Sequence, residues 1–427
     1  MNAVIDPSKF RKIPPGYIIS RFPEIEFTDW IDEARAQKET ATLGDWSWIW
    51  DRRFKGPDAL RLLRDTTVNS FENFAILQSK HAIHTDADGK VIAEGILTRL
   101  AEDEFVVMGR GSFWVDYQRQ LGDYDVESTP EDWTHLQVAG PTSLKLLEKL
   151  SGTDLRDVKM MYNGELEIAG HRMLALRMGM SGGPGFELQA PRAAYDEIYA
   201  ALVETGEEFG LRQLGGRSGG IGHVETAFPT IFQDYVPAMF GEDMADYRRS
   251  ALGGVESNAS GFSFTGSFTS HDIRDYYRSP IELGWARNVK FDHDFIGREA
   301  LEAEAASPRR ILRTLKWNTE DVIDVYASMF REGEQYQFMD LPRQNRATIR
   351  VDRVVRDGKD IGVATMRGYS VFFREMLSLS VIDIDDAEIG SEVTVIWGDP
   401  DGPQKLIRAT IAPAPYYDKR RDDLHKF

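Results

Sequence analysis

The sequence predicts an α+β protein of more than one domain, ending in a β-rich unit. Three observations carry that reading. The chain has 427 residues, too many for one ordinary core, so two or three domains are expected. Helical and strand-like patterns intermingle as far as "DFIGREALEAEAAS". From about Arg309 onward the pattern turns strand-like, which places a boundary near residues 305–310.

The first forty residues read as a polar, proline-bearing lead-in rich in aromatics. "ALRLLRDTTVNSF" spaces Leu60, Leu62 and Leu63 for an amphipathic helix. "HAIHTDADGKVIAEGILTRLAEDEFVVMG" alternates strand runs with turns at Asp88-Gly89 and Glu102-Asp103, a meander. "TSLKLLEKLSG" is a helix with Thr142 or Ser143 as cap and Gly152 as stop. "GELEIAGHRMLALRMGMSGGPGFELQAP" reads as two or three strands turning at Ala169-Gly170 and at a glycine hinge, and "RAAYDEIYAALVETGEEFG" as a helix ending at Gly210. Five glycines between Gly215 and Gly222 predict a loop, and Asp294 is the expected cap of the helix in "DFIGREALEAEAAS". "RRILRTLKW", "ATIRVDRVV", "SEVTVIWG" and "KLIRATIAPAPY" supply the terminal strands.

Composition excludes several classes. Lys and Arg number 51 against 69 Asp and Glu, a net charge of -18. That charge repels phosphate backbones, so no nucleic-acid partner is expected. Cysteine is absent, which removes disulfides, thiolate metal sites and cysteine nucleophiles. No long apolar run and no signal-peptide layout occur, so no membrane partner is expected and a cytoplasmic protein is the default. The sequence sets no oligomeric state.

Two G-x-S-x-G matches surround Ser181 and Ser218. Neither has the strand-then-helix setting of a nucleophile elbow, so neither is read as a nucleophile. His81 and His84, three apart in a strand, project to opposite faces, and no metal is expected. Trp46, Trp48 and Trp50 alternate at strand period in "DWSWIW". They either pack a core or wall an aromatic ligand. Arg110 ends a strand between two glycines, either as a surface residue or poised to grip a carboxylate bidentately. Glu187 sits between Phe186 and Leu188, either facing water or as a buried acceptor met by donors.

"SPIELGWARNVKFDHDFIGREALE", "MSGGPGFELQAP" and "LGDWSWIWDRRFKG" together resemble the glycine-cleavage T-protein (aminomethyltransferase) superfamily, over roughly residues 25 to 415. "DIRDYYRSPIELGW" and "GKVIAEGILTRLAEDEFVVMGRG" resemble its tetrahydrofolate-dependent aromatic O-demethylase branch. The resemblance implies a three-domain ring around a central folate pocket. Residues 1–305 would form a folate-binding region of two interleaved α+β subdomains, and 306–427 a C-terminal β-barrel domain. The implied reaction moves the methyl of an aryl methyl ether to N5 of tetrahydrofolate, giving a phenol. The partners it implies are that folate and a small aromatic substrate.

Glu187 takes the family's pterin-binding glutamate position, where the glycine hinge would let a flat ring approach. Glu94 and Glu225 match further family positions and, with Trp285, are candidate folate contacts. The family's aspartate pair falls on Ala93 and Glu94, which disfavours aminomethyl transfer. Tyrosines of the vanillate-type enzymes fall on Ile18, Ser20 and Gly219, so the substrate pocket is remade. His223 is the first candidate donor to the leaving phenolate, and Arg110 the candidate grip on a substrate carboxylate. Trp46, Trp48 and Phe228 are candidate substrate walls. Demethylenation of a methylenedioxyphenyl ring, and a non-catalytic folate-binding protein, are the alternatives.

Overall fold

The computed structural model describes residues 5–11, 23–180, 182–251, 263–344 and 348–417. In chain order the strands of the first part are β1 (Ala41–Asp45), β2 (Asp51–Lys55), β3 (Ser79–Thr85), β4 (Val91–Arg99), β5 (Glu104–Gly109), β6 (Glu127–Glu131), β7 (Trp133–Ala139), β8 (Asn163–Ile168), β9 (His171–Arg177), β10 (Gly185–Pro191) and β11 (Leu211–Gln213). They form a six-stranded sheet in the order β11-β1-β7-β10-β9-β8 and a five-stranded sheet in the order β3-β4-β5-β2-β6. The chain leaves the first sheet after β1, enters the second at β2 and returns at β7. The two sheets are therefore threaded through one another in sequence.

The meander stands as expected, and so does the hairpin at Ala169-Gly170, where both residues take positive φ. The helix Ser143–Ser151 stops at Gly152, whose φ of 69° is the left-handed conformation that glycine adopts without strain. One face of the six-stranded sheet carries Leu43, Leu136, Val138, Phe186 and Leu188 into a buried core, each worth about 1.5–3 kcal/mol. The other face is polar, and it leads to the site.

The remaining strands are β12 (Ser263–Thr265), β13 (Arg310–Trp317), β14 (Thr348–Arg350), β15 (Asp352–Arg356), β16 (Lys359–Ser370), β17 (Glu375–Asp383), β18 (Glu392–Trp397) and β19 (Lys405–Ala412). Six of them close a barrel, β13-β17-β16-β15-β18-β19, which leaves no exposed sheet edge. "ATIRVDRVV" divides: β15 enters the barrel, whereas β14 pairs in parallel with β12 outside it.

Four local expectations are corrected. The lead-in contains a helix, Trp30–Glu39, capped by Asp29, whose carboxylate accepts from the backbone N–H groups of Ile31 and Asp32. "DWSWIW" is no strand but mainly the turn between β1 and β2, because the chain changes sheets there. The helix Arg298–Ala306 is capped by Gly297, and Asp294 instead pairs with Arg298. The glycine loop ends sooner than expected, with Gly222 inside a short helix, Ile221–Thr226.

Candidate active site

Residues of a strand alternate between faces, so with Phe186 and Leu188 in the core, Glu187 and Gln189 fall on the opposite face. Glu187 pairs with Gln137 and Gln189 with His135 across β10 and β7. All four side chains are buried. Glu187 is 2% exposed, so of the two settings open to it, the buried acceptor is the one observed.

His135 explains how that charge is tolerated. Its Nδ1 lies 3.1 Å from Glu187 Oε1 and its Nε2 lies 2.7 Å from Asp51 Oδ2. Asp51 opens β2 of the other sheet, so this array fastens the two sheets together. Burial acts to depress the imidazole, but Asp51 and Glu187 outweigh it and push its pKa up to about 10. Near neutral pH both ring nitrogens therefore donate. Burial raises Asp51, against the pull of His135. Both hydrogen bonds to Glu187, from His135 and from Gln189 Nε2 at 3.3 Å, fall on Oε1. Its Oε2 receives none among the described residues. Asp51 Oδ1 and Gln189 Oε1 are likewise buried without a donor. The array is rich in acceptors and short of donors.

Aromatic rings gather close by. The turn carrying Trp46 and Trp48 brings their rings to 6.1 Å, and Trp46 stacks on His223 at 6.2 Å and 13°. Phe228 lies 5.3 Å from His223 and 6.3 Å from Trp285. Trp285 meets His81 edge-on at 4.8 Å. Trp46, Trp48, His223, Phe228 and Trp285 are thus one continuous wall. Trp50 is apart, half exposed and against Phe113.

His223 Nδ1 lies 3.0 Å from Thr230 Oγ1. Burial, then the field of Arg343, lowers the imidazole to about 3. It is neutral at pH 7; Thr230 Oγ1 also donates to the carbonyl oxygen of Phe228 at 3.4 Å, and its contact with Nδ1 is compatible with either tautomer. Glu94 Oε2 lies 3.0 Å from His81 Nε2, which ties that carboxylate to the wall. Arg110 caps the helix Gly111–Leu121, which the sequence reading passed over, and its guanidinium lies over the rings of Trp50 and Phe232 at 5.7 and 5.4 Å.

Glu225 is not brought to this wall. Two residues beyond His223, it lies about 200° around the helix and meets Lys38 Nζ at 2.9 Å and Ser370 Oγ at 2.5 Å. Nor does the glycine hinge leave open space at every glycine. A Cβ on Gly182 would lie 2.5 Å from Tyr417 Cδ1, and one on Gly185 3.0 Å from Ala139 Cβ. Those glycines admit protein rather than a flat ring. Ser218 is buried and donates to Glu33, which also accepts from Gly215 N. It is a structural hydroxyl. Ser181, Ile18 and Ser20 lie outside the described residues.

Sequence reasoning missed Asp51, His135 and Tyr235. Tyr235 is 1% exposed, and its hydroxyl has no hydrogen-bond partner among the described residues. Burial, then the charge of Glu94, raises its pKa well above the ordinary tyrosine value. An alternating polar set on β7, His135 and Gln137 among leucine and valine, was the signal available for His135.

The family model described as the GCVT N-terminal domain matches residues 6–240, and the chain belongs to that family. It is 35% identical to syringate O-demethylase of Sphingobium sp. (strain NBRC 103272 / SYK-6), over 92% of this chain and 89% of that protein. It is 33% identical to sesamin methylene transferase of Sinomonas sp. (strain No.22), over 94% and 92%. Aminomethyltransferase of Alkaliphilus metalliredigens (strain QYMF) is 24% identical over 92% and 91%. Among solved structures, glycine cleavage system aminomethyltransferase T from Bartonella henselae aligns with a TM-score of 0.66 at 17% identity, covering 96% of this chain and 92% of that one. The fold is therefore aminomethyltransferase-like. Among the described residues no helix is long and apolar enough to cross a membrane.

Proposed function

We propose that the protein is a tetrahydrofolate-dependent O-demethylase, which transfers the methyl of an aryl methyl ether to folate and releases a phenol. The relatives at 35% and 33% identity span nine-tenths of the chain. The observation that carries the reading at the site is the donor-poor array around Glu187. A pterin presents adjacent N–H donors on its amino-pyrimidine edge, and a carboxylate with an open Oε2 can accept them. The residues present fit that ligand.

Bound there, tetrahydrofolate would supply a neutral amine, N5, as methyl acceptor. Glu187 holds the pterin, and Trp46, Trp48, Phe228 and Trp285 confine the rings. Glu94 supports the wall through His81. The difficult part is the departing phenolate, whose conjugate acid has a pKa of about 10. A neutral His223 donates a hydrogen bond from Nε2 to that oxygen, stabilising it without carrying a charge of its own. Arg110 holds a carboxylate on the substrate ring. The net charge of -18 fits small ligands met by individually placed arginines rather than nucleic acid.

Incubation with tetrahydrofolate and a panel of methoxybenzoates, with folate products separated by chromatography, tests the proposal. 5-Methyltetrahydrofolate is the expected product. Methylenetetrahydrofolate from a methylenedioxyphenyl compound alone would favour the second reading, in line with the relative named sesamin methylene transferase. Binding without turnover would make the protein a non-catalytic folate binder.

A further inference from the structure

Beside the helix that carries His223, the barrel borders a cavity of about 40 Å³ lined by Gln233, Arg343, Arg350, Asp352, Thr365 and Arg367, among others. Arg350 is answered: its Nε and Nη2 meet the two oxygens of Asp352 at 2.8 and 3.1 Å. Arg343 and Arg367 are not. Arg343 donates from Nη1 to Gln233 Oε1 at 3.0 Å, and its Nε is buried with no partner among the described residues. Arg367 donates from Nη2 to the carbonyl of Asp340 at 2.7 Å, places Nη1 3.0 Å from Met376 Sδ, and also leaves Nε without a partner. Each residue is 8% exposed, and no carboxylate pairs with either among the described residues.

A buried cation without a counter-ion is costly. Two such cations at one cavity, in a chain with a net charge of -18, call for an anion from outside the protein. The cavity exceeds the space that one water needs, and a carboxylate's paired oxygens suit the guanidinium fork. The cavity also adjoins the proposed active site. A Cβ on Gly220 would lie 2.4 Å from Arg343 Cζ, so that guanidinium rests against the turn opening the helix of His223.

We infer that the cavity is a carboxylate-binding subsite, with Arg343 and Arg367 gripping an acid group of a ligand that also reaches the aromatic wall. The inference rests on the folate-dependent reading for its two candidate sources: the glutamate tail of folate and the acid group of a benzoate substrate. Absence of a side chain at Gly220 is then part of the subsite, because it lets the guanidinium approach the turn.

Titration calorimetry on the full chain separates the sources. Tetrahydrofolate is compared with 6-methyltetrahydropterin, which has no tail, and a methoxybenzoate with its amide. In Arg343→Met one acid-bearing probe should bind about 10–100-fold more weakly, while its neutral counterpart stays within about twofold. Arg343→Lys should recover part of the loss. A loss confined to tetrahydrofolate assigns the cavity to the tail, and one confined to methoxybenzoate assigns it to the ring acid and takes that role from Arg110. Unchanged affinities, or equal losses for charged and neutral probes, overturn the inference.

If Arg343→Met does not fold, Gly220→Ala replaces it, displacing the guanidinium while keeping its charge, and the same discrimination is read. Benzoate alone is a third arm that needs no folate chemistry. Arg343-dependent benzoate binding without folate binding would sink the functional reading and leave the subsite standing. If the wild type binds none of the probes, both fall.

Discussion

Glu187 and His135 meet across neighbouring antiparallel strands, 3.1 Å from Oε1 to Nδ1, with both side chains buried. The pair gives the buried carboxylate a hydrogen-bond donor at Oε1, and Oε2 receives none among the described residues. Glu187→Gln keeps the shape and removes the charge. Folate affinity should fall about 10–100-fold, the scale of a hydrogen bond to a charged group. The fold should survive, because Asp51 still pairs with His135. Calorimetry showing unchanged affinity would remove Glu187 from the folate site.

The same pair gives stability a pH dependence. His135 has its folded pKa raised to about 10 from an ordinary 6.5. The folded state therefore holds the proton more tightly, and the stabilisation is complete below about pH 6.5 and is lost as pH rises through 10. Urea midpoints measured from pH 7 to 10 should fall steadily for the wild type. They should fall less for His135→Gln, and parallel slopes would contradict the assignment.

His223 makes a kinetic prediction. Its pKa of about 3 places its titration below the working range. The pH profile of kcat should then show no limb near 6.5 that vanishes in His223→Asn. Turnover in that variant should drop about 10²–10⁴-fold, with the KM for folate little changed. Wild-type turnover in His223→Asn would eliminate it as the donor to the phenolate.

Ser218 offers the opposite test. Its hydroxyl serves the buried carboxylate of Glu33, so Ser218→Ala should cost about 1–3 kcal/mol of stability and leave kcat near the wild-type value. A collapse of kcat at unchanged stability would restore it as a nucleophile.

Tyr235 carries a buried hydroxyl that has no hydrogen-bond partner among the described residues. Tyr235→Phe should leave stability unchanged or slightly raised, since an unmet polar group is removed. A lower kcat/KM alongside that neutrality would mean that the hydroxyl finds its acceptor on a bound ligand.

What was legible in the sequence was local. The helix stopped by Gly152, the hairpin at Ala169-Gly170 and the β3-β4-β5 meander depend on turn chemistry and periodicity over a few residues. Glu187 stood out because a charge amid apolar neighbours on a strand must either face water or be met. Its pterin-binding role, and the candidacy of His223, Phe228 and Trp285, came with the resemblance, whereas Trp46 and Trp48 stood out by their alternation. Tertiary structure decided the partners. Asp51 and His135 are 84 residues apart and meet only because the chain threads one sheet through the other. The same threading turned "DWSWIW" from an expected strand into a crossover that sets two tryptophans against His223 and sends the third elsewhere. Glu225 went to Lys38, and Arg343, from the segment before β14 that bridges to Gly368 of the barrel, came to the turn at Gly220. Long-range pairing depends on which surfaces the fold brings together, and no local pattern of residues encodes that distance.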